Sequence, residues 1–203
     1  MYCYILIDFF ILSLKSLSKY RKYTIFILFW ILIFFTAFRP EIGGYDYSIY
    51  KNLFENMPDI FNFKINFNTI TYDLLYSFSN SLVRTFTDNF EVYIFIYTFF
   101  SHILLFKIIK EYSMDFFYSM FVYFSSYYLW HNFTLLRQNI AMLLFWIAIK
   151  YIKNSDFKKY LFYIIIAALF HKSAILLLIF YPIIKYLSKI TINKKILISF
   201  IVV

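Results

Sequence analysis

An all-α fold, a multi-pass transmembrane helical bundle, follows from three features of the sequence. Apolar residues make up 63% of the 203, with a mean hydropathy of +0.69, well above the roughly 45–50% apolar content of soluble domains. Only two glycines and three prolines interrupt the chain, so apolar helices extend freely, each needing about 20 residues to cross a bilayer. Lysines and arginines stand in short clusters between apolar stretches, which is the pattern of membrane topology. That distribution also argues against nucleic acid as the reason for a net charge of +9, since no single basic face carries it.

The apolar stretches cover residues 2–17, broken by Asp8 and Lys15, then 23–38, 90–109, 116–130, 135–152 and 160–181, with a last one starting at Ile196. The first resembles a signal h-region but has no preceding basic region and no small-residue cleavage site, so it reads as a retained span. Lys15, Lys19, Arg21 and Lys22 follow it with no acid, which places that connection in the cytoplasm and the N-terminus outside. Alternation then puts residues 39–89 outside. There Glu41, Asp46, Glu55, Asp59, Asp73 and Asp88 outnumber Arg39, Lys51, Lys64 and Arg84. In this segment Tyr72, Leu75, Tyr76, Leu82, Val83 and Phe86 recur at helical spacing opposite Asp73, Ser77, Asn80 and Arg84, predicting one amphipathic helix lying at the interface. Lys107, Lys110, Glu111 and Asp115 fall inside, a short connection at 131–134 outside, and Lys150, Lys153, Lys158 and Lys159 inside again.

Beyond Lys159 simple alternation fails, because Lys185, Lys189, Lys194 and Lys195 also look cytoplasmic. Residues 161–181 as one straight helix cover about 31 Å, a single crossing that ends outside. Two half-helices of about 16 Å, turning near His171, would enter and return, provided the turn is buried in protein or faces water. The lysines favour this re-entrant helix pair. Residues 1–203 are expected to be a single integral membrane domain, truncated within a span at its C-terminus.

Cys3 is the one cysteine, so disulfides and cysteine metal sites are excluded within the chain. No metal-ligand spacing, phosphate loop, nucleophile elbow or dinucleotide fingerprint occurs. The aromatic content of 26% is spread along the whole chain, and an AT-rich coding bias enriches the same residues, so it carries no general functional reading.

Three polar clusters remain. In Phe38-Arg39-Pro40-Glu41-Ile42-Gly43-Gly44-Tyr45-Asp46-Tyr47-Ser48-Ile49-Tyr50, adjacent glycines sit between an arginine and an aspartate at the outer boundary. They either build a site or merely anchor and turn the chain. Arg137, in Leu136-Arg137-Gln138-Asn139-Ile140-Ala141, lies about 20 Å of helix from Lys150, hence within the outer leaflet. Left unpaired it costs at least ~2.5 kcal/mol, unless it snorkels or faces an aqueous cavity. In Leu169-Phe170-His171-Lys172-Ser173-Ala174 a histidine and a lysine lie deep in the membrane, where ionisable residues are expensive and mark function by default. His171 suits either proton transfer or neutral hydrogen bonding, since an unperturbed imidazole titrates near 6.5.

Taken in order, the segment with Arg39, Gly44, Asp46 and Tyr50, the run Arg137-Gln138-Asn139-Ile140-Ala141 and the run Phe170-His171-Lys172-Ser173-Ala174 resemble the EpsG family, Wzy-like polymerases of exopolysaccharide and O-antigen repeat units. The resemblance covers most of the chain, and three short motifs at fitting intervals are more specific than any one of them. It implies that repeat units on undecaprenyl diphosphate, at the outer face of the bacterial cytoplasmic (inner) membrane, are joined by a glycosyltransferase-type reaction. The growing glycan passes from one lipid carrier to the next acceptor, with no cofactor and no nucleotide sugar. Its implied partners are the lipid-linked glycan, the bilayer and other polysaccharide assembly proteins. On this resemblance Arg39, Gly44, Tyr50, Arg137, Gln138 and Lys172 bind substrate, the arginines holding diphosphate, while Asp46 or His171 assists proton removal. Family members continue through further spans, which leaves open whether these residues hold every catalytic group. A transporter of lipid-linked glycans, its broken helix lining a path, and a non-catalytic membrane scaffold are the competing readings.

Overall fold

The computed structural model describes residues 21–39, 44–64 and 73–187. Helix covers 82% of these and no strand occurs among them. The stretch at 2–17, the stretch from Ile196, Tyr72 and the lysines at 189, 194 and 195 lie outside the described residues.

Helix α1 (Arg21–Ala37) is an unbroken aliphatic and aromatic run that stops just before Arg39. Pro40 follows Arg39 and disfavours helical backbone at the residue ahead of it. Two short helices follow, α2 (Tyr47–Glu55) and α3 (Leu74–Arg84). Helix α4 (Phe90–Tyr112) opens with the Asn89 side chain accepting from the Glu91 amide at 2.7 Å, and it carries Glu91 in its first turn and Lys110 in its last, matching the helix dipole. By length and composition α4 is long and apolar enough to cross a membrane, alone among the described helices, and residues Lys22–Ala37 form a shorter apolar helix. Helix α5 (Phe116–Tyr123) starts from an Asp115 cap and runs on as π-helix through Phe124–Tyr128 and Trp130–Thr134. Then come α6 (Leu136–Lys153), α7 (Phe157–Phe170), a 3₁₀ helix (Lys172–Ile179) and α8 (Phe180–Leu187).

Helix α4 is the axis of the packing. Its first half presents Tyr93, Ile94 and Tyr97 to Phe54, Tyr76, Leu136 and Ile140. Its second half presents Leu105, Phe106 and Ile109 to Leu28, Phe116, Met120 and Leu143. A third cluster, Ala148, Ile152, Tyr160 and Ile164, joins α6 to α7.

Four features differ from or sharpen the sequence reading. Residues 39–89 hold two helices rather than one: Tyr47, Tyr50 and Phe54, at i, i+3 and i+7, give α2 a buried stripe. Helix α3 buries polar residues beside its apolar Tyr76 and Val83. Ser77, Asn80 and Ser81 are buried, while Phe78 and Leu82 are exposed. Where water is scarce, polar groups find partners inside the protein: Asn80 Nδ2 donates to the Tyr76 carbonyl and to Tyr93 Oη, and Ser81 Oγ to the Pro58 carbonyl. The expected connection at 131–134 is helical and its His131, Asn132 and Thr134 are buried; the break falls instead at Leu135, whose amide donates to the Trp130 carbonyl.

The fourth feature concerns residues 161–181, which are not one straight helix. The chain reverses at His171, whose backbone is extended (φ −154°, ψ 105°), and returns alongside α7. Tyr160 Oη donates to the Leu177 carbonyl at 2.5 Å, and Phe157 packs on Tyr181 with ring centroids 4.9 Å apart. Ala167 and Ala174, both buried, flank the apex, so small side chains let the turn approach the core.

Candidate functional site

Three distant segments converge at the apex of this hairpin, and the group that gathers them is Asp73. Its side chain is 5% exposed. Oδ2 accepts from Arg137 Nη1 at 2.9 Å, and Oδ1 accepts from the Lys172 amide at 2.9 Å. His171 Nδ1 stands 3.6 Å from Oδ2, ion-pair distance but beyond a hydrogen bond. Asp73 is held here because it precedes the first residue of α3, Arg137 because it lies in the first turn of α6, and Lys172 because it begins the 3₁₀ return, where backbone N–H groups lack intrahelical partners.

Beneath this cluster is a wall of tyrosines. Arg137 sits over the Tyr76 ring at 5.8 Å and hydrogen-bonds Tyr50. Tyr97 Oη donates to the Leu136 carbonyl, which pins the start of α6 to α4. Burial raises the Tyr50 phenol above its ordinary value, and the Arg137 charge beside it pulls the other way. Tyr50 therefore stays neutral and serves Arg137 as an uncharged partner.

Arg39 belongs to a neighbouring but separate arrangement. It is 5% exposed, donates from Nη1 to the Asn132 carbonyl at 2.6 Å, and packs over Phe133 and Tyr47 at 4.8 and 5.4 Å. Burial pulls its pKa down to about 10, which leaves it charged at neutral pH. Asn132 also accepts from Asn139 Nδ2 at 3.1 Å and donates to the Tyr128 carbonyl at 3.0 Å, so Asn132 joins the π-helix to α6 while Arg39 ties the end of α1 to it. Arg39 and Lys51 border a cavity of about 430 Å³ together with Glu55, Asp88 and Glu91. Three acids against two bases do not favour an anion there.

Gly44 has a defined reason to be glycine: a Cβ would stand 2.3 Å from the Phe133 carbonyl oxygen. Gly44→Ala is expected to push this turn off the π-helix, at a cost of about 1–3 kcal/mol. The check is the unfolding temperature of the purified protein; no change would show that the turn yields freely.

The sequence candidates thus divide. Arg137, His171 and Lys172 meet at Asp73, with Tyr50 attached through Arg137. Lys172 is there through its backbone amide, while its side chain is exposed. Arg39 and Gly44 support the adjoining π-helix and do not open onto the cluster. Asp46 is half-buried, and its carbonyl accepts from the Tyr50 amide at 2.9 Å. Among the described residues no hydrogen bond or ion pair joins its carboxylate to Arg137 or His171. Gln138 is half-buried next to Arg137, and among the described residues no hydrogen bond joins it to Asp73.

Asp73 is the residue that the sequence reading missed, having placed it on the polar side of an interfacial helix. A signal was there. Between Asp73 and Arg84 the polar positions of α3 include Ser77, Asn80 and Ser81, uncharged residues suited to inward hydrogen bonding.

The EpsG family model matches residues 22–203, nearly the whole chain. No curated protein and no solved structure matches the chain. The match covers nearly the whole chain, and the chain belongs to the EpsG family of polysaccharide-related membrane proteins.

Proposed function

We propose that the protein is a multi-pass polymerase of the bacterial cytoplasmic membrane that joins undecaprenyl-diphosphate-linked oligosaccharide repeat units at the outer face. The observation that carries this reading is the meeting of Arg137 and the His171–Lys172 turn at one point. The Asp156 cap to His171 spans about 22 Å of helix, and Arg137 to Lys153 about 24 Å, so both polar groups come to the same depth in the outer half of a hydrocarbon layer about 30 Å thick.

Arg137 brings one cation to this point and the exposed Lys172 side chain adds a second. Together they hold the diphosphate and stabilise the charge that grows on it as it departs. His171 takes the proton of the acceptor hydroxyl, and its position beside Arg137 favours it over Asp46 for this role. The acceptor oxygen forms a bond to the anomeric carbon of the donor glycan. The bond from that carbon to the diphosphate oxygen breaks, and its electron pair leaves with the lipid diphosphate. The charge of the loops favours an N-terminus outside and residues 39–89 on the outer side.

The test is reconstitution of the purified protein into vesicles with a lipid-diphosphate-linked oligosaccharide as sole substrate. Products of two or more repeat units, with release of free lipid diphosphate, are expected. Transfer of unjoined substrate across the vesicle wall would favour a transporter and defeat the polymerase reading. A cysteine at Asn52 should react with impermeant reagents in intact cells.

A further inference from the structure

The Asp73 carboxylate spends its two oxygens on two different segments and also faces the His171 ring, which is more than a simple ion-pair staple requires. Oδ1 holds the Lys172 amide, one residue from His171 and at the start of the 3₁₀ return, so it fixes the backbone from which the imidazole projects. Oδ2 holds Arg137 and faces His171 Nδ1. That nitrogen is sealed from water and has no hydrogen-bond partner among the described residues, yet the His171 side chain is 25% exposed. The exposed part is therefore the rest of the ring. The charged and titratable groups around the imidazole are Asp73 ahead of α3, Arg137 on α6 with Tyr50 behind it, and Lys172 on its own strand of the hairpin.

We infer that Asp73 is the positioning residue of this site: it holds the His171 imidazole with Nδ1 inward and protonated, so that Nε2 faces the acceptor hydroxyl as the base. The physical logic is that of any base oriented by a third group. A carboxylate opposite one ring nitrogen selects the tautomer with the proton on that nitrogen, leaving the lone pair on the other. In the reaction proposed above, the acceptor O–H proton goes to Nε2, and the resulting imidazolium is stabilised by Asp73 without Asp73 itself taking the proton. The inference rests on that reading for the acceptor, while the placement of the ring can be measured independently.

The variant that tests it is Asp73→Asn, which keeps an oxygen for the Lys172 amide and removes the charge. The chain has three histidines, so ¹⁵N-histidine spectra of the full-length protein in detergent or nanodiscs resolve His171, identified by its loss in His171→Gln. In the parent protein the proton should reside on Nδ1; in Asp73→Asn it should move toward Nε2. Turnover in the vesicle assay should fall roughly 100-fold with the KM for lipid-linked substrate little changed. An unchanged His171 tautomer in Asp73→Asn, or unchanged turnover, overturns the inference and leaves Asp73 as a staple for Arg137. A tautomer that follows Asp73 in a protein that joins no glycans keeps the placement of the ring and discards the polymerase reading.

Discussion

Arg137→Ala is expected to abolish long polymer, and it should do so through two separable effects. The first is structural: it strands the Asp73 carboxylate, whose side chain is 5% exposed. Breaking a buried pair by removing one partner costs roughly 3–5 kcal/mol, and the 26% exposure of the Arg137 side chain puts this case toward the lower end. The second effect is loss of the fork that grips the diphosphate. Arg137→Lys separates the two, because a lysine keeps the charge next to Asp73 and lacks the planar two-pronged donor geometry. It should hold membrane abundance near normal while polymer length drops sharply. The double variant Asp73→Ala with Arg137→Ala removes both charges and should recover abundance without recovering polymer. Polymer of normal length from either Arg137→Lys or the double variant, measured by gel on intact cells, would remove Arg137 from the diphosphate site.

His171→Gln should lower the rate of joining by at least about 100-fold while leaving abundance intact. The backbone at His171 is extended, a conformation any residue adopts, so the hairpin has no need of histidine for its turn. Glutamine retains hydrogen-bonding groups but cannot accept and release a proton near neutral pH, so the variant divides two roles. A base is lost with glutamine; a mere hydrogen-bond donor is largely kept. Substantial joining by His171→Gln would assign His171 to hydrogen bonding, and low abundance with normal polymer per molecule would assign it to packing.

The all-helical class was legible because it depends on composition and spacing alone: a chain so apolar, with so few glycines and prolines, forms helices wherever it is not interrupted. The reversal at His171 was legible for a related reason. Lysines on both sides of one span's length of chain argue against a straight crossing. Arg137, His171 and Lys172 stood out because charge at membrane depth is expensive wherever it occurs.

What the local pattern could not supply was the partner. Asp73 is separated from Arg137 by 64 residues and from Lys172 by 99, and no periodicity within a segment encodes a pairing at that range. The orientation of α3 was hidden for the same reason. Amphipathicity shows that a helix has two faces, but which face turns inward depends on what surrounds it. Here Tyr93 Oη and the Pro58 carbonyl receive the polar face. Arg39 shows the converse: its charge at the outer boundary was readable, but only the tertiary structure reveals that Asn132, Phe133 and Tyr47 enclose it. The sequence by itself determined which groups are costly to bury. The tertiary structure decided which of them satisfy one another, because a buried charge settles where long-range packing brings it a partner.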